Sequence, residues 1–418
     1  MRLIVQKYGG TSVGSPERIR NVARRLVETQ REGCSVVAVI SAMAGVTDDL
    51  IKLAHEISPD PTKRELDILL ATGEHAASAL IAMAVNALGA KAISLTGAEA
   101  GILTDPIHTK ARIANISPKQ IQELLAENYI VIVAGFQGQS AEGETTTLGR
   151  GGSDLTAIAL AGALNADACQ IFTDVEGVFT CDPRVVSDAK KMSEIAYDEL
   201  LEMASAGAKV MQSRAVEFAK KFGVEFEVRS SLSPENIRGT ITKEATPSME
   251  DVVIRGISLD RHQAKLTIAG VRDEPGVAGR IFSNIAAAHI IVDMIVQNAS
   301  IGGTTDISFT IHEDELEDAR KILMPVVSEV GAKRLNTASG VAKLSVVGIG
   351  MRSHSGVAAR LFECLGRHGI NIQLVSTSEI KIAVVINEDD VERAAQLTHE
   401  EFGLATLKPA SSPMQPPG

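Results

Sequence analysis

The sequence has no excess of basic residues. Its 418 residues include 41 Lys and Arg against 52 Asp and Glu, which gives a formal net charge of −11. A nucleic-acid-binding or membrane-surface protein needs a basic face to meet phosphates, so this charge argues against both classes. Any anionic ligand must therefore be held by a few local cations.

Cysteine is scarce, and a long apolar run is missing. The cysteines form no CxxC pair and have no histidine at metal-site spacing: Cys34, Cys169, Cys181 and Cys364. We expect them to be reduced and buried in a cytoplasmic protein, since the N-terminus RLIVQKYGG does not resemble a signal peptide. The most apolar stretch, 75–90, is shorter than the ~20 residues of a membrane span, so it predicts a buried helix.

The first half of the chain alternates short β-branched runs with helical patterns from residue 3 to about 226. This alternation predicts an α/β domain with a doubly wound, mostly parallel sheet and helices on both faces. The predicted strands are 3–8, 35–41, 91–96, 129–136 and 168–174, with helices such as 16–32 and 153–164 between them. Folds of this class bind ligands at strand ends.

The C-terminal part contains an internal repeat at a spacing of 80 residues, which aligns 271–300 with 351–380. Each copy reads as βαββαβ, a ferredoxin-like order that predicts a small antiparallel sheet with two helices on one face. The predicted domains are 1–245, 263–340 and 341–407, and a strand from 250–262 could be added to the last. A Pro/Ser-rich tail, 408–418, is expected to be disordered.

Three segments at predicted strand ends carry candidate chemistry. In QKYGGTSVGS, Gly9 and Gly10 let the backbone approach an anion before a helix, and Lys7 adds a positive charge. A glycine turn beside an ordinary surface lysine remains the alternative. The segment matches neither the Walker A pattern GxxxxGK[ST] nor the dinucleotide pattern GxGxxG.

The second segment is TTTLGRGGSDLTA, residues 145–157. Arg150 is a fork-shaped donor for a carboxylate or phosphate, and Ser153 is predicted to cap a helix that begins at Asp154. Asp154 could position the lysine or a substrate ammonium group. Helix capping alone is the alternative reading.

The third segment is FTDVEGVFTCDPR, residues 172–184, where Asp174, Asp182 and Arg184 could hold a nucleotide. A turn-rich surface loop is the alternative, and Lys209 in GAKVMQSRA is a weak candidate by itself. If the fold brings these segments to one crevice, they suit phosphoryl transfer from ATP. That reaction needs alignment and charge neutralisation by lysines, helix amides and Mg²⁺, and it needs no nucleophilic side chain.

KYGGTS, SAMAGVTD, TGE, GRGGSD and TDVEGVFTCDPR, in that order, resemble the aspartokinases of the amino-acid-kinase superfamily. The duplicated module resembles the paired ACT domains of the same family, so the resemblance covers nearly the whole chain. It implies transfer of phosphate from ATP to L-aspartate, which yields ADP and 4-phospho-L-aspartate. In this family the reaction opens lysine, threonine and methionine synthesis.

The resemblance also implies residue roles. Lys7 would neutralise the transferring phosphoryl group, Gly9 and Gly10 would donate amides to it, and Asp154 would orient Lys7. The implied substrate-binding residues are Ser41, Thr47, Glu74, Arg150, Gly151, Gly152 and Ser153. The implied ATP-binding residues are Lys7, Gly9, Gly10, Thr173, Asp174, Phe179, Asp182, Arg184 and Lys209. No residue is assigned as a protein ligand of a metal ion. Glu74 and Thr47 could also serve simply as a first-turn carboxylate and a helix cap.

For the repeat, the resemblance implies regulation by lysine and threonine. The implied effector-binding residues are Asp273, Glu274, Gly276, Gln297, Asn298, Met351, His354 and Asn371. Because Ser355 and His354 depart from the first copy's turn, the two copies need not bind the same ligand. A homo-oligomer of at least two chains is implied, and Met249 could start a separate regulatory chain. A repeat that serves only as a dimerisation surface is the alternative.

Two other functions remain open at this point. The first is another amino-acid kinase, acting on glutamate or N-acetylglutamate, which would share the same handling of phosphate. The second is an amino-acid-binding regulatory protein whose kinase half is inactive. A dehydrogenase is excluded because the sequence has no dinucleotide fingerprint.

Overall fold

The computed structural model describes residues 1–208, 210–234, 237–246, 253–298, 302–354 and 356–405. Contacts divide the chain into two units. The first contains Met1–Val178, Lys191–Ala204 and Lys209–Pro247, and the second contains Phe179–Lys190, Ser205–Ala208 and Ser248–Gly418. The segments 179–190 and 205–208, which the predicted boundaries placed in the catalytic domain, thus group with the C-terminal unit.

The first unit contains two sheets. Its strands are β1 (Arg2–Tyr8), β2 (Cys34–Ile40), β3 (Ala92–Leu95), β4 (Ile102–Thr104), β5 (Ile113–Ile116), β6 (Ile130–Ala134), β7 (Gln137–Ser140), β8 (Thr145–Thr147), β9 (Ala168–Thr173), β10 (Glu194–Ala196), β11 (Phe226–Ser230) and β12 (Thr240–Lys243). Its helices are α1 (Pro16–Arg31), α2 (Val46–Ile57), α3 (Lys63–Ala87), α4 (Lys119–Ala126), α5 (Gly152–Ala163), α6 (Tyr197–Ser205) and α7 (Ser213–Phe222).

The main sheet has the order β10-β12-β11-β9-β1-β2-β6-β3, and every neighbouring pair is parallel except β11 and β12. A smaller sheet has the order β5-β4-β7-β8. The central strands are buried along nearly their whole length, as expected for strands covered on both faces. The predicted doubly wound α/β fold is therefore confirmed.

Successive side chains of β1 point to opposite faces of the main sheet. Tyr8 packs in one core with α1, α3 and the neighbouring strands. Lys7 points to the opposite face, where it meets α5. Residues 152–161 of α5 are all buried, so this helix lies inside the unit and presents its first turn to the end of β1.

Residues 75–87 of the apolar stretch form the second half of α3, and this helix is 25 residues long because it begins at Lys63. By length and composition alone this helix could cross a membrane. Half of its most apolar window is nevertheless buried inside the unit, as in the core helix of a globular domain.

The second unit contains the repeat. Its strands are β13 (Gly256–Arg272), β14 (Ile295–Gln297), β15 (Thr304–His312), β16 (Arg334–Val347), β17 (Leu374–Thr377) and β18 (Lys381–Asn387), and its helices are α8 (Val277–Ala287), α9 (Leu316–Glu329), α10 (Val357–Arg367) and α11 (Val391–Glu401). They form one antiparallel sheet in the order β14-β15-β13-β16-β18-β17.

The two copies share the long central strands β13 and β16. Residues 263–269 of β13 pair with 334–341 of β16, whereas 256–260 pair with 343–347. The first pairing belongs to the core that contains α8 and α9, and the second to the core that contains α10 and α11. The first copy thus runs βαββαβ, and the second runs βαββα and takes its last strand from the start of β13, which confirms the predicted ferredoxin-like class.

All four cysteines are buried and free, as expected from their spacing. The tail 408–418, Met249, Lys209 and Ser355 lie outside the described residues.

Candidate active site

Lys7 and Asp154 form a buried ion pair where β1 ends and α5 begins. Lys7 Nζ lies 2.6 Å from Asp154 Oδ1, and each side chain is 11% exposed. Asp154 is in the first turn of α5, so the lysine ammonium lies beside a helix N-terminus. In this position a cation can interact with an anionic group with little screening by water.

The two glycines after β1 have different tasks. The amide of Gly9 donates to the Phe172 carbonyl (3.1 Å), so the expectation that it donates to a phosphoryl group is wrong for this structure. A Cβ on Gly9 would lie 3.4 Å from Lys7 Nζ, an ordinary contact distance, so Gly9 lies directly beside the ammonium. Gly10 begins a 3₁₀ turn, where the first amides have no partner within the turn.

Gly10 also fits against the loop after β2. A Cβ on Gly10 would lie 2.8 Å from the carbonyl oxygen of Ala42, and the amide of Ala44 donates to the Gly10 carbonyl. The amide of Ser41 donates to Tyr8. Thr47, in the same segment, is in the first turn of α2. The SAMAGVTD segment is therefore held against the glycine turn.

Glu74 extends from α3 toward the same loop. Its side chain is buried, and Oε1 accepts a hydrogen bond from the amide of Ala42 (3.0 Å). Its other oxygen, Oε2, has no hydrogen-bond partner among the described residues. Burial raises the pKa of Glu74 from 4.5 to about 7. A buried acceptor without a protein partner is open to a donor from an ordered water or a ligand.

The turn before α5 depends on its glycines. Gly151 has a φ of 72° and is the N-cap residue, and a Cβ there would lie 2.7 Å from Cβ of Gln212. The helix begins at Gly152, so the predicted cap at Ser153 is wrong: Ser153 is in the first turn, close to Gly135 at the end of β6. The backbone forms this start because glycine accepts the left-handed conformation.

Arg150 stands at the exposed edge of this turn. Its side chain is 91% exposed, and Nη2 lies 3.2 Å from Asp48 Oδ1 near the start of α2. This contact is weak because both groups are largely in water. The guanidinium can therefore exchange Asp48 for the carboxylate of a ligand.

The residues expected on the nucleotide side fall into two groups. Thr173 ends β9, next to β1, and its hydroxyl donates to Asp174 (3.1 Å). Phe179, Asp182 and Arg184 belong to the second unit. There Arg184 binds the Asp182 carboxylate through Nη2 (2.7 Å) and Nε, and this hydrogen bonding lowers the pKa of Asp182. Phe179 packs against the core of the second copy.

Two side chains that the sequence reasoning missed stabilise the turn before α5. Arg214, in α7, donates to the carbonyls of Leu148 (2.7 Å) and Ala111 (3.0 Å). Asp67, in α3, is fully buried and accepts a hydrogen bond from the hydroxyl of Thr147. One signal for Asp67 was available, because it precedes Glu74 by seven residues, about two helical turns, and so shares its face of α3.

The first repeat copy has a cavity of about 320 Å³ where β13 meets α8. Its lining includes four of the five predicted effector residues of this copy: Asp273, Glu274, Gly276 and Gln297. The fifth, Asn298, lies at the end of β14, and its carbonyl accepts from the hydroxyl of Thr305 (2.6 Å).

The second copy has a cavity of about 680 Å³, and only one predicted effector residue lines it. His354 is in the lining, and its Nδ1 lies 2.8 Å from the Gly350 carbonyl. Met351 packs against the core of the copy, and Asn371 is exposed; neither is in the lining. The two copies thus offer cavities of different size and composition.

Comparison with known proteins agrees with this geometry. The model of the amino acid kinase family matches residues 2–230, and an ACT domain model matches 266–324 and 344–402. An aspartate kinase of Pseudomonas fluorescens is 52% identical over 406 residues, which covers 97% of this chain and 98% of that protein.

Solved structures show the same similarity. Escherichia coli aspartokinase III in complex with aspartate and ADP superposes with a TM-score of 0.81 at 26% identity, covering 96% of this chain and 99% of that one. Its complex with lysine and aspartate gives a TM-score of 0.76 at the same identity and coverage. The chain therefore belongs to the amino acid kinase family, as an aspartokinase with C-terminal ACT domains that transfers phosphate to a carboxyl group.

Proposed function

We propose that this enzyme transfers the γ-phosphoryl group of ATP to the β-carboxylate of L-aspartate. The products are ADP and 4-phospho-L-aspartate, at the start of lysine, threonine and methionine synthesis. The observation that carries the proposal is the buried pair of Lys7 and Asp154, placed between the glycine turn after β1 and the start of α5. The Escherichia coli relative that binds aspartate and ADP supports the choice of substrates.

The proposed chemistry depends on charge and alignment. A β-carboxylate is ionised at neutral pH, so the attack on phosphorus requires no general base. Lys7 would neutralise charge that spreads over the phosphoryl oxygens, in a setting where a cation is effective because water is largely excluded. Asp154 would keep the ammonium in place during the transfer.

Glu74 and Arg150 would orient the amino acid. The free Oε2 of Glu74 is suited to the ammonium group, and the exposed fork of Arg150 is suited to the α-carboxylate. Ser41 after β2, Thr47 in the first turn of α2 and Ser153 in the first turn of α5 would supply polar contacts to the amino acid. On the nucleotide side we propose Gly10, Thr173 and Asp174.

We further propose Mg²⁺ as the partner of ATP. Asp154 is already paired with Lys7, and the described residues of the first unit contain no cluster of three potential metal ligands. This donor set fits an ion held mainly by the nucleotide phosphates, as Mg²⁺ commonly is. When bound, Mg²⁺ would neutralise phosphate charge, and Lys7 would act on the transferring group itself.

For regulation we propose that the first-copy cavity binds an amino-acid effector. The acidic side chains of Asp273 and Glu274 suit an ammonium group, and backbone amides at the start of α8 suit a carboxylate. Lysine is the first candidate, because an Escherichia coli relative binds it, and threonine is the second. The different second cavity supports the expectation that the copies bind different ligands.

We also propose a homo-oligomer formed through the ACT domains, in the cytoplasm, where the four free thiols stay reduced. Light scattering that gave the mass of one chain at working concentration would contradict the oligomer. A separate regulatory chain that starts at Met249 would appear as a short band in a blot against the C-terminus in the native host.

The decisive experiment measures ATP-dependent formation of acyl phosphate, trapped with hydroxylamine, for aspartate, glutamate and N-acetylglutamate. We expect trapping with aspartate, and suppression by lysine, threonine or both. Lys7→Met should lower kcat by about 10² or more, the usual scale for loss of one such electrostatic contact. Lys52→Met removes an exposed lysine and should leave kcat unchanged. Trapping with glutamate but not aspartate would refute the proposal.

A further inference from the structure

Asp67 is a fully buried carboxylate that none of the proposed catalytic steps uses. It lies in α3, and among the described residues no Lys or Arg pairs with it. Its oxygens are instead surrounded by three side-chain and backbone donors. The Thr109 amide lies 3.1 Å from both oxygens, His108 Nδ1 lies 2.8 Å from Oδ2, and the Thr147 hydroxyl donates to Oδ1.

Thr109 is the most unusual of these partners. Its φ is 68°, in the left-handed region that β-branched residues rarely adopt. Such a conformation persists only when surrounding contacts impose it, and such residues concentrate at functional sites. The contact that holds Thr109 here is its amide hydrogen bonding to Asp67.

The segment around Thr109 lies directly against the turn that carries Arg150. A Cβ on Gly149 would lie 3.3 Å from the Thr109 carbonyl oxygen. The amide of Ala111 donates to Thr147, two residues before Gly149. Arg214 then joins the two segments by donating to the carbonyls of both Ala111 and Leu148.

Asp67 therefore touches this turn from two sides. It holds Thr147 directly at the start of the 147–152 segment, and it holds Thr109 against Gly149. It also lies on α3 two turns before Glu74. One face of this helix therefore carries Glu74 and contacts the turn that holds Arg150, the two residues that we assign to binding of the amino acid.

We propose that Asp67 is a positioning residue for the amino-acid substrate: by fixing Thr109 and Thr147 it sets the place of Arg150 relative to Glu74. This inference rests on the proposed roles of Arg150 and Glu74. It predicts that loss of the carboxylate affects binding of the amino acid more than binding of ATP, because Lys7 and Gly10 have no contact with Asp67.

The test is steady-state kinetics of Asp67→Asn in the full chain. Asparagine keeps the size of the side chain but replaces one acceptor oxygen with a donor that faces Thr109 or His108. We expect KM for the amino acid to rise on the order of tenfold, since small displacements of binding groups cost this much or more. We expect KM for ATP to change by less than about threefold.

A second substitution separates positioning from general stability. Glycine adopts the left-handed conformation without a stabilising contact. Adding Thr109→Gly to Asp67→Asn should therefore bring the raised KM for the amino acid part of the way back to the parent value. The matched control is Asn86→Ala, which removes a similar side chain that binds Ala92 at the other end of α3. This variant should lower the melting temperature and leave both KM values unchanged.

Equal changes in both KM values, a loss of kcat alone, or no recovery with Thr109→Gly would overturn the inference. If Asp67→Asn does not fold, Thr147→Val removes one hydrogen bond to Asp67, and it should raise KM for the amino acid alone; unchanged KM would refute the proposal. The comparison uses whichever amino acid the parent enzyme phosphorylates. Failure of aspartate as substrate would therefore refute the proposed function without affecting this test.

Discussion

Glu74 gives the sharpest quantitative prediction, because one substitution should stabilise the protein and weaken substrate binding together. The carboxylate is buried with one oxygen unpartnered, and burial raises its pKa from 4.5 to about 7. Glu74→Gln keeps an oxygen for the amide of Ala42 and removes the ionisable group. The variant therefore has no charge to bury at any pH.

The sign of the effect follows from proton linkage. The folded protein binds this proton more tightly than the unfolded chain does, so the parent loses stability as pH rises from about 4.5 to about 7. A pKa difference of that size lowers the stability of the parent by about 3 kcal/mol at pH 8. The new amide NH₂ of the variant has no partner and costs about 1 kcal/mol at every pH. The net stabilisation at pH 8 is thus about 2 kcal/mol, the difference of these two estimates.

Thermal unfolding of parent and variant between pH 5 and 8.5 would measure this difference. For a unit of this size, we expect Glu74→Gln to melt about 4 to 8 °C above the parent at pH 8, with the gap closing toward pH 5. Glu56→Gln makes the same change on an exposed part of α2, and its difference from the parent should not vary with pH. A pH-independent gap for Glu74→Gln would refute the argument.

The same charge should control the affinity for the amino acid. Protonated Glu74 cannot pair with an ammonium group, so KM for aspartate in the parent should rise about tenfold per pH unit below pH 7. KM of Glu74→Gln should be high at pH 8 and show no such rise. A parent KM that stays constant from pH 8 to pH 5.5 would show that Glu74 does not bind the ammonium group.

Three further predictions concern other parts of the chain. Gly10→Ala places a Cβ 2.8 Å from a backbone carbonyl oxygen and should raise KM for ATP about tenfold in the trapping assay. His399 is buried against the Thr180 hydroxyl and burial lowers its pKa, so the second unit should lose stability as pH falls below 6.5; urea unfolding of His399→Gln should lack this loss. Burial raises the pKa of Cys169 and of Cys181 to about 12, so neither should react with a thiol reagent at pH 8 until the protein unfolds.

The main sheet could be predicted because its signal is local. A strand covered on both faces is a continuous β-branched run, and the segments 34–40 and 130–134 have this pattern and are buried except at Ser35. The repeat could be found for a similar reason, since two copies of one module repeat their glycine and core positions. That the copies share β13 and β16 depends on pairing between distant residues, which no local pattern contains.

The sequence did not predict those contacts of the site that depend on backbone geometry. The amide of Gly9 is bonded to the Phe172 carbonyl because of the register between β1 and β9, and a register cannot be read from either strand alone. Ser153 had the right chemistry for a cap, but Gly151 occupies the cap position in a left-handed conformation. Arg184 was expected to meet phosphates, and it binds Asp182, two residues away.

The helix α3 shows how partner number can separate a structural carboxylate from one that is open to a ligand. Asp67 and Glu74 lie two turns apart on one face of α3, and both are buried carboxyl groups. Their position on the helix and their burial therefore do not distinguish them. Asp67 has donors for both oxygens, and Glu74 has a donor for only one. An unpaired buried oxygen costs stability, so its presence beside a loop of small residues favours a site that gains its missing donor from the substrate. This difference in partners is the structural reason why we propose Glu74, and not Asp67, for the ammonium group of the substrate.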